Sequence, residues 1–204
     1  MKWFSGVVIF LVFGATNTMA IEEAEYKTVL SDQDFEVRRY ESHILAETIV
    51  GGDFEDAGSE AFGQLFKYIS GNNTSQQKVK MTAPVAQSLA NEKIDMTAPI
   101  GQQYRKNKWV VSFMMPAAYL LKELPVPKNI NVSLRQVPEK SVASIRYSGL
   151  WSEKNYQYNL KKLKNWIAKQ SFQVTGEPIW ARYNSPYTLW FMRRNEILIP
   201  IKSY

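Results

Sequence analysis

Lys78-Val79-Lys80-Met81-Thr82-Ala83-Pro84-Val85 and Lys93-Ile94-Asp95-Met96-Thr97-Ala98-Pro99-Ile100 are two runs of one chain that share a tetrapeptide, Met-Thr-Ala-Pro, followed each time by a β-branched residue. The run-ups alternate charged and apolar side chains, the period-two pattern of a half-buried strand. Each proline then removes a backbone donor, so pairing is expected to stop there. The reading is two similar strand ends joined by a polar loop from Gln87 to Glu92.

Working outward, Phe35-Glu36-Val37-Arg38-Arg39-Tyr40 alternates as a strand, and His43 to Val50 is a largely apolar second strand ending at Gly51-Gly52. Asp53 is the N-cap expected for a helix in which Gly58, Phe62, Leu65 and Ile69 recur at helical spacing before Gly71 closes it. On the other side, Trp109 to Met115 reads as a strand with Trp109, Val111, Phe113 and Met115 on one face, and Leu124-Pro125-Val126-Pro127 interrupts regular structure. The order then begins again. Ile130, Val132 and Leu134 alternate, Ser141 to Tyr147 is a strand, and Ser152 caps a helix carrying Tyr156, Leu160, Leu163 and Ile167 at the same spacing. Offset by 97 residues, Arg38 meets Arg135, Ala46 meets Ala143, Gly52 meets Gly149 and Phe54 meets Trp151. A strand-strand-helix-strand-strand unit used twice predicts an α+β fold, one curved antiparallel sheet or open barrel with two packed helices and a cleft between the halves. One domain is expected over residues 21–204, its first half at about 26–121, a linker at about 122–129 and its second half from about 130.

Residues 1–20 are read as a cleaved secretory signal: Lys2, an apolar stretch from Val7 to Ala15 that is short for a bilayer span, and Thr18-Met19-Ala20 before Ile21. The expected location is the periplasm in a bacterium or outside the cell, with no stable membrane insertion after cleavage; in a eukaryote Asn72, Asn73 and Asn131 would stand in glycosylation sequons. The chain has no cysteine, which excludes disulfides, thiolate ligands, iron–sulfur clusters and cysteine nucleophiles. Its formal charge of +6, or +5 without Lys2, is spread along the chain and favours anionic partners weakly.

The Lys-x-Lys-Met-Thr-Ala-Pro-Val string, the second Met-Thr-Ala-Pro, Phe113-Met114-Met115-Pro116, Leu124-Pro125-x-Pro127 and Tyr183-Asn184-Ser185-Pro186 followed by Arg193-Arg194-Asn195-Glu196 together resemble the SOUL haem-binding protein family, from about Tyr26 to about Ile201. The resemblance implies a distorted antiparallel β-barrel of two pseudo-symmetric ββαββ halves with two packed helices. It also implies binding of haem or a related porphyrin, and an exported version looks like the bacterial branch. Haem iron takes His, Met, Tyr or Cys, and His43 is the one histidine here. Where family members have a proposed iron-ligating histidine it precedes the tyrosine of the first strand, a position held here by Arg39, so His43 is a candidate axial ligand displaced by four residues. Holding the porphyrin by apolar contact and charge alone is the other route.

Met81 and Met96 offer thioethers or simply fill core. Arg193 and Arg194 suit haem propionates, or pair with Glu196. Tyr40 and Tyr183 ligate, hydrogen-bond a propionate, or pack at an edge. Phe62 belongs to the core stripe of the first helix, which leaves Phe66 as the better groove wall. Lys161, Lys162, Lys164 and Lys169 read as a solvated helix face, and no nucleic-acid partner is expected. No Gly-x-Ser-x-Gly, phosphate loop or His-Glu-x-x-His occurs. Three functions are open: a carrier, buffer or scavenger of tetrapyrrole; a binding module for varied hydrophobic molecules, like the effector-binding domains related to the gyrase-inhibitor protein; and a tetrapyrrole-modifying enzyme, for which no acid/base pair or nucleophile is found. A buried unpaired glutamate in the cleft would favour the second, and clustered arginines the first.

Overall fold

The structure, a computed structural model, describes residues 23–75, 78–79, 82–83, 85–89, 108–185 and 187–202. Alternation sets the strands: β1 Tyr26–Asp32, β2 Phe35–Tyr40, β3 His43–Gly51, β4 Val85–Leu89, β5 Lys108–Met114, β6 Val132–Val137, β7 Lys140–Tyr147, β8 Ile179–Arg182 and β9 Asn195–Ile201. Helix α1, Phe54–Ile69, follows β3, and α2, Glu153–Lys169, follows β7. Both begin as their sequences require. The Asp53 carboxylate accepts from the Asp56 N–H at 2.9 Å, and the Ser152 hydroxyl oxygen accepts from the Asn155 N–H at 3.3 Å. Gly52 and Gly149, at φ +109° and +118°, turn the chain from strand to helix in left-handed geometry that a side chain would strain. Ser152→Ala is expected to cost about 1 kcal/mol, read as a lower urea midpoint with an unchanged slope.

The sheet is antiparallel and runs β1-β2-β7-β9-β8-β4-β5-β3-β6. From β2 to β6 the order is the same read from either side, with β4 and β8 at the centre. The first strand of each ββαββ half is traded: β2 pairs with β7 of the second half, and β6 with β3 of the first. The registers match, since Arg38 faces Val142 while Arg135 faces Leu45, both displaced by 97 residues.

Two core clusters fill one side of the sheet. Ala46, Val111, Phe113 and Val132 lie under Ala61, Leu65 and Tyr68 of α1; Val37, Ala143, Ile145, Ile197 and Ile199 lie under Tyr156, Leu160, Leu163 and Ile167 of α2. The other side curls on itself: Tyr40, Leu45, Ala86, Val110, Arg135, Val142, Ile179 and Leu198, from eight strands, line one cavity.

One strand expectation is corrected. Strand β4 begins after Pro84, at Val85, and contains Gln87, which the sequence reading gave to a loop. Proline is tolerated at a strand's start because its missing donor precedes the ladder; Val85 then pairs with Phe113 on one side and Arg182 on the other. Before it, the Val79 N–H donates to the Ile69 carbonyl at 2.7 Å, and the Thr82 hydroxyl donates to the Met114 carbonyl. Val79 is thus tied to α1 and Thr82 to β5. The second Met-Thr-Ala-Pro, Met81 and residues 1–20 lie outside the described residues.

Candidate functional site

Helix α1 packs on β3, β5 and β6, and α2 on β7 and β9, so the central pair β4 and β8 is left to floor a cleft. The cleft has a volume of about 420 Å³. Gly58, Ser59 and Phe62 of α1 form one wall, Trp151 ahead of α2 the other, and Val85, Trp180 and Arg182 the floor, with Asn184 at the end. Period two explains the floor, because Trp180 and Arg182 share the helix side of β8 while Ile179 and Ala181 turn away.

Arg182 dominates the electrostatics. Its guanidinium lies 4.6 Å from the Trp180 ring centre and 5.3 Å from that of Trp151, and Nη2 donates to Gln87 Oε1 at 3.2 Å. Its Nε is shut from solvent with no hydrogen-bond partner, and no carboxylate pairs with it among the described residues. Burial lowers its pKa to about 10, the nearby Tyr147 opposing weakly, so it stays cationic at neutral pH. Gly58 makes this possible: a Cβ there would fall 2.5 Å from Nη2. Arg193 covers Trp151 at 4.4 Å. The cleft thus joins aromatic surface to positive charge, and no Asp or Glu lines it among the described residues.

The opposite side of the sheet holds the other charges. Glu196, 0 % exposed, accepts from Arg38 at 2.6 and 3.2 Å, from Arg194 Nε at 2.9 Å and from the Tyr183 hydroxyl at 2.8 Å. Burial pushes its pKa up, but the Arg38 hydrogen bond and the two cations outweigh that and hold it below the usual carboxylate range. Burial drives the Tyr183 phenol far above its ordinary value, with neighbouring negative charge adding to it, and Tyr40 rises to about 12. Glu47 is held bidentately by Arg135 at 2.7 and 3.0 Å.

His43 stands on this side too, since Ile44 and Ala46 of β3 face α1 while His43, Leu45 and Glu47 face the curl. Its Nδ1 is 2.8 Å from the Glu41 carbonyl oxygen, which can only accept, so the proton sits on Nδ1. Burial, and then the charges of Lys140 and Arg135, lower its pKa. Two cavities adjoin it, of about 80 Å³ and about 320 Å³; sites for drug-sized ligands run to roughly 300–1,000 Å³, so the second stands at the low end of that range.

The residues singled out from sequence therefore divide between the two sides. Phe62 lines the cleft, and Phe66 stacks on it at 5.7 Å, 47 % exposed, outside the lining. Arg193 reaches the cleft through Trp151. Arg194 instead pairs with Glu196 and Glu23, and its guanidinium lies 3.8 Å from the Tyr183 ring centre. His43, Tyr40, Tyr183 and Arg194 are on the far side of the sheet from the cleft, so a flat ligand between the helices does not meet them. Met81 and Met96 lie outside the described residues. Sequence reasoning missed Arg182, Trp180 and the role of Trp151; the available signal was an arginine two residues after a tryptophan in the short apolar strand Ile179-Trp180-Ala181-Arg182.

The profile of one protein family, described as SOUL heme-binding protein, matches residues 21–200. The chain is 25 % identical to "Heme-binding protein 2" of Homo sapiens over 172 residues, 79 % of either chain. It is 25 % identical to "Heme-binding protein 1" of Xenopus tropicalis over 164 residues, 80 % of this chain and 81 % of the other. Among solved structures it is similar in fold to the EcmrR C-terminal domain, with a TM-score of 0.60 and 11 % identity over 88 % of this chain and 99 % of that one. A protein described as a hydrolase from Listeria innocua shares the fold at a TM-score of 0.56 and 9 % identity, over 85 % of this chain and 94 % of that one.

Proposed function

This chain belongs to the SOUL heme-binding protein family, and from that premise we propose that it binds haem or a related porphyrin in the cleft between α1 and Trp151, as a carrier, buffer or scavenger. One observation carries the assignment: Arg182 is a cation with no carboxylate partner among the described residues, set between two tryptophans in a cleft whose described lining has no acid. A porphyrin carboxylate supplies the missing anion, and guanidinium meets carboxylate in a charge-assisted pair. The residues fit the group. Phe62, Val85 and Trp151 offer apolar area to the macrocycle, each Å² removed from water being worth about 25 cal/mol. Arg182 would meet its carboxylates.

Haem, when bound, supplies an iron that takes N, S or phenolate ligands. The described lining holds no His, Met or Tyr, so these residues grip the ring and its carboxylates and not the metal. No acid/base pair lines the cleft among the described residues, and binding without chemistry is the reading adopted. A cation in the cleft disfavours a cationic ligand of the gyrase-inhibitor-like kind. The apolar stretch ahead of Ile21 supports export to the periplasm or beyond.

Haemin and iron-free protoporphyrin, titrated into the chain from Ile21 onward, are expected to saturate one site each with affinities within about tenfold, about 1.4 kcal/mol. His43→Ala is expected to leave both titrations unchanged. Saturation by a cationic hydrophobic dye and by neither porphyrin would refute the assignment.

A further inference from the structure

The concave side of the sheet holds two cavities that share Ala24, His43 and Met114 as walls, of which the smaller also meets Ala86, Val110 and Ser112. We propose that this inner face is a second binding site, separate from the cleft, for a small neutral apolar molecule that carries hydroxyl groups.

Period two assembles it. Val111, Phe113 and Met115 belong to the core under α1, so Val110, Ser112 and Met114 turn to the concave side, where Leu45 pairs with Met114 and Glu47 with Ser112. His43 precedes Leu45 on the same side. An apolar strip, Leu45 and Met114, thus separates His43 from Ser112 by four positions of the ladder, roughly 13 Å at about 3.4 Å per residue.

Each end keeps hydrogen-bonding capacity that the protein leaves unused. Ser112 is 6 % exposed and lines the smaller cavity, and its hydroxyl has no partner among the described residues. His43 holds its proton on Nδ1 against the Glu41 carbonyl, which leaves Nε2 an acceptor, likewise without a partner among the described residues. Buried polar groups are ordinarily paired, and those that are not mark a missing partner.

The charges around them are already answered. Glu47 and Arg135 hold each other, Lys140 has an interaction of its own, and Glu23, Glu25 and Glu41 are exposed to water. No desolvated charge there calls for a counter-ion. A hydroxyl group donates to Nε2 or accepts from Ser112, whereas a carboxylate has no proton to give and an ammonium would enter beside Arg135 and Lys140. The site shares no residue with the lining of the cleft and is independent of what the cleft binds.

The test is calorimetric titration of the chain from Ile21 onward, which contains every described element, with 2,6-dihydroxynaphthalene and with its dimethyl ether, which keeps the shape and loses both donors. The parent is expected to bind the diol at one site and at least about fivefold more tightly than the ether, the worth of one hydrogen bond. His43→Phe, which keeps a ring and removes the acceptor, and Ser112→Ala should each weaken the diol at least about threefold, with circular dichroism and thermal melting as in the parent. Should one variant melt early, the other carries the test. Trp151→Ala, which removes a wall of the cleft, should leave the diol's affinity unchanged. No saturable binding, equal affinity of the parent for diol and ether, a diol affinity that survives both concave-side variants, or its loss in Trp151→Ala overturns the proposal.

Discussion

Glu196→Ala is expected to cost about 3–5 kcal/mol of folding stability, the range for breaking a buried ion pair from one side. Glu196 is 0 % exposed and is the shared acceptor for Arg38, Arg194 and Tyr183. Without it Arg38, 3 % exposed, keeps Glu36 alone as an acidic partner and cannot recover water. The corresponding loss at Glu47 is expected to be smaller, because the Arg135 side chain is 36 % exposed and rehydrates in place. Urea unfolding at neutral pH measures both, and a Glu196→Ala loss below about 1 kcal/mol would mean that the cluster is held by its surroundings. The same carboxylate fixes an acid dependence. Its folded pKa lies below the unfolded value, so the folded state binds fewer protons and its stabilisation is complete above about pH 4.3, the ordinary glutamate value. It is lost as pH falls through the depressed folded pKa, and Glu196→Gln should flatten the stability curve in that acid window.

Arg182→Leu is expected to move stability and binding in opposite directions. The parent chain keeps an arginine whose Nε has no partner and whose pKa burial has lowered. Leucine, shorter and apolar, removes that desolvation cost, so folding stability is expected to rise. It also removes the cation that meets a porphyrin carboxylate. A charge-assisted hydrogen bond is worth about 1.5–3 kcal/mol, so affinity for protoporphyrin should fall by roughly 10- to 150-fold. The dimethyl ester of protoporphyrin separates charge from shape: the parent should prefer the free acid, and Arg182→Leu should lose that preference. Equal affinity of parent and variant for the free acid would remove Arg182 from the site.

The fold was readable because its periodicities are local. Alternation placed β2, β3, β5 and β7, the i, i+4, i+7 stripes placed both helices, and Asp53 and Ser152 marked the helix starts that the structure shows. Proline misled, because its missing donor is equally compatible with the end of one strand and the beginning of the next, and only the pairing partners of Val85 decide. The trade of β2 and β6 between halves leaves no mark on periodicity at all. At the site, the parity of β3 was legible and unused: His43 shares its side with Glu47, away from the apolar residues that α1 covers. Arg182 was hidden because nothing in a chain with 25 Lys and Arg marks one cation as the one buried beside two tryptophans.

The exchange of first strands between the halves governs how this chain can reach its native state. Pairing Tyr40 with Lys140 and Thr48 with Val132 closes loops of about 100 and 84 residues, and the chain entropy of such closures must be met before the contacts return anything. Helix α1 and the β4–β5 hairpin can form early from nearby sequence. The sheet that spans both halves cannot, because β2 reaches β7, and β6 reaches β3, only across the halves. A barrier set by topology is the expectation: the halves should commit together and late, and the chain should unfold as one cooperative unit and not as two.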